Sequence, residues 1–296
     1  MGWLVALSGG LLLAGVVACG LAADGRFLPH DEQFLGMSAG ELCERHGCRI
    51  VHFMIHDRAA FGGVVASIGL VYLWLALVPL RRREGWAWRA LLVSGIVGFA
   101  SFLAHFAQGY FDVWHGAATL TLLPCYVIGM WRSRAAGWRP VPSRGWPNWR
   151  TRSGAGRACL LAVSIGSIVA GVVILSLGMT EVFVPQDLAY LSVSTDELRA
   201  LNPRLVPLIA HDRVGFGGAM VSAGLAATAC VWHMEPHGSA WWVLALGGAA
   251  AFGPAIAVHY AIGYTDPIHL APAIAAAALH ALGLALMMRR TSRHAG

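Results

Sequence analysis

Apolar residues run through this chain in blocks of roughly twenty, the length that crosses a bilayer as a helix. The blocks fall at residues 3–22, 59–80, 87–108, 114–131, 158–178, 214–233, 240–262 and 267–288. They are continuous and rich in Leu, Ala, Gly and Val, whereas barrel strands alternate in short segments. The pattern predicts an all-α integral membrane protein with eight transmembrane helices. Two long polar connections interrupt it, at 23–55 after the first block and 179–210 after the fifth. Each holds a Ser followed three residues later by Glu, at Ser38 and Glu41 and at Ser194 and Glu197. That spacing is a capping box, so a short helix is expected over each outer end. Residues 1–22 resemble a signal peptide in length but lack a positive start, and are read as a first span.

The polar residues between the blocks repeat. His56-Asp57-Arg58 followed by Phe61-Gly62-Gly63 returns as His211-Asp212-Arg213 followed by Phe216-Gly217-Gly218, at an offset of 155. The string H-[FY]-A-x-G-Y-x-D-x-x-H, from His105 to His115, returns from His259 to His269 at an offset of 154. Upstream, Phe27, Pro29, Asp31, Ser38 and Glu41 match Phe183, Pro185, Asp187, Ser194 and Glu197 at an offset of 156. The expected architecture is therefore two tandem four-helix bundles related by a pseudo-twofold axis. An N-terminal repeat spans 1–131, an Arg/Pro/Trp-rich linker 132–157 and a C-terminal repeat 158–296. With four spans each, the repeats have the same orientation, unlike the inverted repeats of many transporters.

Charge orients the chain. It is 57% hydrophobic and only 12% charged, about half the charged share of soluble domains. Every basic side chain is Arg, clustered at Arg81-Arg82-Arg83, in the linker and at the C-terminus. The positive-inside rule puts these places and both termini in the cytoplasm, with the chain multi-pass in the plasma membrane. No basic stripe is interleaved with stacking aromatics, so nucleic acid is not an expected partner. The expected partners are the lipid bilayer, a quinone or other lipophilic substrate, and further subunits of a membrane complex.

Ionisable residues kept twice in an oily chain point to function, because burying them is costly. In an eight-span topology His56, His105 and His115 share one depth near the outer face, as do His211, His259 and His269. Several imidazoles can hold a metal or a metallated cofactor. Asp57, Asp212, Asp112 and Asp266 are candidate carboxylate ligands; the simpler reading of Asp112 and Asp266 is helix N-caps, with Pro267 following the second. Arg58 and Arg213 could pair with anionic groups. His30, His52 and His280 have no counterpart and are read as incidental. Cys43 and Cys48 stand in the first outer loop with His46 between them; a disulfide, a redox pair and a metal site all fit that spacing.

Eight spans in two tandem units, with a His at the outer ends of spans two, four, six and eight, resemble heme A synthase. The resemblance implies a heme-binding pair His56 and His115 in the first half, and His211 and His269 in the second. It also implies that Cys43 and Cys48 are that family's loop cysteines. The family's acid three residues before the first His is here Phe53. Three functions follow as expectations. The first is a membrane oxidoreductase binding heme b through these pairs, with Arg58 and Arg213 on the propionates. The second is a non-heme enzyme with Zn, Fe or Cu on three His and a carboxylate. The third is an ion or proton carrier.

Overall fold

The computed structural model describes residues 1–103, 109–110, 112–134, 139–234 and 238–288. Among them are twelve helices and no strand. In the first half these are α1 (Gly2–Ala23), α2 (Pro29–Leu35), α3 (Ala39–His46), α4 (Arg49–Leu77), α5 (Gly85–Leu103) and α6 (Val113–Ser133). In the second they are α7 (Arg152–Met179), α8 (Pro185–Leu191), α9 (Thr195–Leu201), α10 (Leu205–His233), α11 (Ser239–Ile262) and α12 (Pro267–Met287). Seven are long and apolar enough to cross a membrane: α1, α4, α6, α7, α10, α11 and α12. α5 covers the third apolar block, and the residues after it lie outside those described.

The short helices cap one end of the bundle. Ser38 and Ser194 accept from the amides of Glu41 and Glu197, whose carboxylates take the Ser38 and Ser194 amides in return. α2 and α8 use a different stop and start. Each opens on Pro with an Asp in its first turn, Asp31 or Asp187, which accepts the amide three residues back.

α4 and α10 form the centre. About two thirds of the apolar stretch of α4 is buried, and 56% of that of α10, against 22–28% in the other spans. The outer helices turn large apolar side chains outward, Leu120 being 80% exposed, as lipid-facing surfaces do. Both central helices begin about ten residues before their apolar block. His56 and His211 therefore sit two turns inside a helix, where a start was expected, because their charged neighbours find partners within the bundle and need no water.

The expectation was two self-contained four-helix bundles, but the helices of the two halves interleave. α1 packs with both α4 and α6, and α7 with both α10 and α12, each within its own half, but α11 packs on α4 and α5 on α10. The Phe-Gly-Gly strings show why. A side chain at Gly62 would stand 2.9 Å from the Gly15 carbonyl of α1, and one at Gly217 would stand 2.7 Å from the Gly171 carbonyl of α7. The next glycine faces the other half. A Cβ at Gly63 would strike the Ala250 carbonyl of α11, and one at Gly218 the Ser101 side chain of α5. Two adjacent glycines thus let α4 and α10 each take two close neighbours, one from each half.

Two hydrophobic cores result, layered along the bundle axis, and each draws on both halves. One, beneath the short helices, contains Phe53, Met54, Leu208 and Ile209; the other, toward the linker, contains Val64, Leu75, Ala226 and Leu244. The buried His, Asp and Arg side chains of α4 and α10 fall near the boundary between them.

Candidate metal centres

α4 and α10 lie against each other with their His-Asp-Arg strings side by side, and their charges cross. Arg58 donates through Nε to Asp212 at 2.9 Å, and Arg213 through Nε to Asp57 at 3.3 Å. Each guanidinium also reaches the short helix of its own half: Arg58 to Asp31 at 2.6 Å, Arg213 to Asp187 at 2.8 Å. Those carboxylates in turn accept the phenols of Tyr110 and Tyr264. Asp31 and Asp187 are fully buried, so fixed cations and hydroxyl donors are what make their charge tolerable.

Burial would raise Asp187, but Arg213 and Tyr264 outweigh it and hold its carboxyl below the usual range. Burial and the adjacent carboxylates push both phenols well above theirs. Tyr110 and Tyr264 are therefore donors, not bases.

Among the described residues this scaffold holds two clusters able to bind a metal ion. In the first, one ring nitrogen each of His56 on α4, His259 on α11 and His269 on α12 lie within 4.8 Å of one another. Hydrogen bonding fixes the tautomers. The Nδ1 of His56 lies 2.6 Å from the Phe53 carbonyl, and that of His259 2.6 Å from the Ala255 carbonyl. A carbonyl only accepts, so both Nδ1 atoms carry the proton. The Tyr264 hydroxyl donates to Asp187, so toward the His269 Nδ1, at 3.1 Å, it acts as acceptor. All three Nε2 atoms are left as lone pairs. That of His259 is buried and has no hydrogen-bond partner among the described residues, and that of His56 lies 3.5 Å from an Asp57 oxygen. Second-shell acceptors on Nδ1 are the usual means of presenting Nε2 to a metal.

The second cluster joins Asp112 and His115 at the start of α6 to His211 on α10. Asp112 divides its oxygens. Oδ1 caps the helix, accepting the amides of Trp114 at 2.8 Å and His115 at 3.0 Å. Oδ2 lies 3.0 Å from His115 Nδ1 and 3.8 Å from His211 Nε2, and those two nitrogens are 3.2 Å apart. These separations bracket the edge of about 3.4 Å expected for a tetrahedron with bonds of 2.0–2.1 Å. Burial would raise Asp112, yet the bonds from His115 and His211 keep its carboxyl far below the usual range.

Both donor sets fit a metal ion: three imidazoles with an open position suit zinc, and two His with one carboxylate suit iron.

The partners come from opposite halves. The resemblance implied His56 with His115 and His211 with His269; instead His56 joins His259 and His269, and His211 joins His115. The cause is the exchange of α5 and α11 on the central pair. Asp57 and Asp212 serve the crossed ion pairs. Asp266 caps α12, accepting the amide of His269 at 2.8 Å, and takes no part in either cluster. His105 lies outside the described residues. Cys43 and Cys48 are joined as a disulfide, linking the end of α3 to the start of α4.

Three contributors were not singled out as site residues. Asp31 and Asp187 anchor the arginines, and their constant offset of 156 was the available signal. His30, read as incidental, sits with Nε2 3.0 Å from Asp112 Oδ1, though without a directed hydrogen bond. Its position beside Asp31 was the clue.

Compared with known proteins, the chain matches no family profile, no curated protein and no solved structure.

Proposed function

We propose that this protein is a membrane metalloenzyme carrying two non-heme metal ions, one on His56, His259 and His269 and one on Asp112, His115 and His211. The observation that carries the reading is the set of three imidazoles whose Nδ1 positions are all engaged, while one ring nitrogen of each lies within 4.8 Å of the others. Converging lone pairs repel unless a cation lies between them.

A bound ion with an open position would polarise a substrate oxygen or lower the pKa of a water. The chain's own residues do the rest. Asp57 faces His56 and adds negative charge to the site; Arg213 neutralises Asp57 and Asp187; Tyr264 holds the ring of His269. The substrate is lipophilic, since apolar cavities adjoin both clusters.

The membrane reading completes the picture. Eight spans, with α5 as the third, form two sequence repeats that exchange α5 and α11. The Arg-rich connections face the cytoplasm, so the short helices and both metal sites face outward, and the Cys43–Cys48 disulfide lies on the oxidising side. A heme bridging spans two and four of one half fits this arrangement less well, because the imidazoles gather across halves.

Elemental analysis of the purified protein tests the reading. Two ions of a transition metal per chain, without a Soret band, is the expected result. A bound heme, or no metal after expression in metal-replete medium, would overturn it.

A further inference from the structure

The three-histidine site opens onto a cavity of about 700 Å³, within the usual range of ligand sites. Its walls give it a direction. His56, His259 and His269 line one end, with Arg213 and Asp57; Leu160, Val231 and His280 line the other. His280 lies eleven residues beyond His269 on α12, a helical rise of about 16 Å. Between these ends the lining is almost entirely Ala, Gly, Val, Leu and Ile, with a few Ser. The shape is an apolar shaft with its polar side chains gathered at the histidine end.

The shaft also has a side door. Near the linker α7 and α12 touch backbone to backbone, where a Cβ at Gly156 would stand 2.8 Å from the Gly283 carbonyl. Toward the short helices the cavity reaches both of them. There Val173 of α7 and Ile268 of α12 both line the cavity and are 52% and 72% exposed on the lipid-facing surface. A guest can therefore enter from the bilayer without crossing water. The counterpart beneath the Asp112 cluster is only about 290 Å³.

We propose that this shaft takes the alkyl chain of a lipid that enters between α7 and α12, its polar head at the three histidines and its tail pointing to the linker end. The proposal rests on the metal reading only for what holds the head. A shaft of this length takes about a dozen methylenes, each advancing roughly 1.3 Å along the chain.

The test is photolabelling of the full-length protein in nanodiscs with a straight-chain fatty alcohol of about twelve carbons bearing a terminal diazirine. Label is expected on α7, α11 and α12 near Leu160 and His280. Unlabelled alcohols should compete better as they lengthen, up to about a dozen carbons, and no better beyond. Ala276→Phe, seven residues past His269, should shorten the best competitor to about eight carbons; Ala223→Phe, on the facing wall, provides a second block. Label spread over α1 and α6, competition indifferent to chain length, or an unchanged optimum in both variants would overturn the proposal. Metal content of the same samples separates the two ideas. A chain-length limit in metal-free protein keeps the shaft and removes the metal, whereas bound metal without a limit does the reverse.

Discussion

The two clusters start from matching strings and end as different sites. Around His56 three imidazoles converge, and Asp266, the sequence counterpart of Asp112, serves only as a cap. Around His211 the cap itself becomes a ligand candidate, with its second oxygen turned to the imidazoles. The position before the buried lid Asp differs too: His30 approaches Asp112 on one side, and Gln186 stands at the matching place on the other. Among the described residues one motif thus presents a neutral donor set and an anionic one; His105, the counterpart of His259, lies outside them. The lesson is that a duplicated His and Asp pattern fixes where donors sit along the chain, and the packing of helices from the other half decides which of them meet.

The difference is sharpest in metal content. His269→Ala should empty the three-histidine site and leave the other filled, halving the metal per chain; His115→Ala should do the converse. Loss of both ions in either variant would mean the sites are not independent. Iron or manganese is expected to prefer the Asp112 site and zinc the three-histidine site, which metal-specific replacement in each variant would check.

Next in size is the crossed charge layer. Arg213→Ala leaves Asp57 and Asp187 buried without their cation and should cost about 3–5 kcal/mol, read as thermal unfolding in detergent. Arg58 has the same partners by symmetry but is more exposed, 17% against 7% for the side chain. Arg58→Ala should therefore cost less, and an equal or larger loss would contradict the ranking.

Tyr264→Phe removes the acceptor on His269 and one donor to Asp187. It should weaken metal binding about 10–100-fold at the three-histidine site alone, measured by chelator competition. Tyr110→Phe should have a smaller effect, because Tyr110 lies edge-on to His211, with ring centroids 4.9 Å apart.

The smallest effect concerns the short helices. Hydrogen bonds from the Ser38 and Ser194 amides, then from their hydroxyls, lower the pKa of Glu41 and Glu197. A carboxyl lowered by folding stabilises the folded state fully above its ordinary value and loses that contribution as the pH falls through the lowered one. Amide exchange in α3 and α9 should quicken as the pH drops below the normal glutamate range, and Glu41→Gln should remove the dependence in α3 only.

Much of this was legible in the chain itself. The apolar blocks located the helices, the capping boxes located α3 and α9, and the repeated strings picked out His56, His115, His211, His259 and His269. The partnering was not legible. Two copies of a motif are equally compatible with pairing inside a half or across halves, and nothing in His56 says which copy of the second string it will meet. The choice is made by packing, through Gly63 against α11 and Gly218 against α5. The helix starts were also set by tertiary context: Arg58 and Asp57 read as polar punctuation in one dimension, and only their crossed partners let the helix continue through them.

The crossed pairs have a consequence for biogenesis. Synthesis runs from the N-terminus, so α4 enters the bilayer long before α10 exists. In that interval Arg58 has Asp31 alone and Asp57 awaits Arg213, a charge the translocon must shelter until the rest of the chain arrives. The nascent first half is an unfinished ionic lock, and it closes only once α10 has brought Asp212 and Arg213 to it.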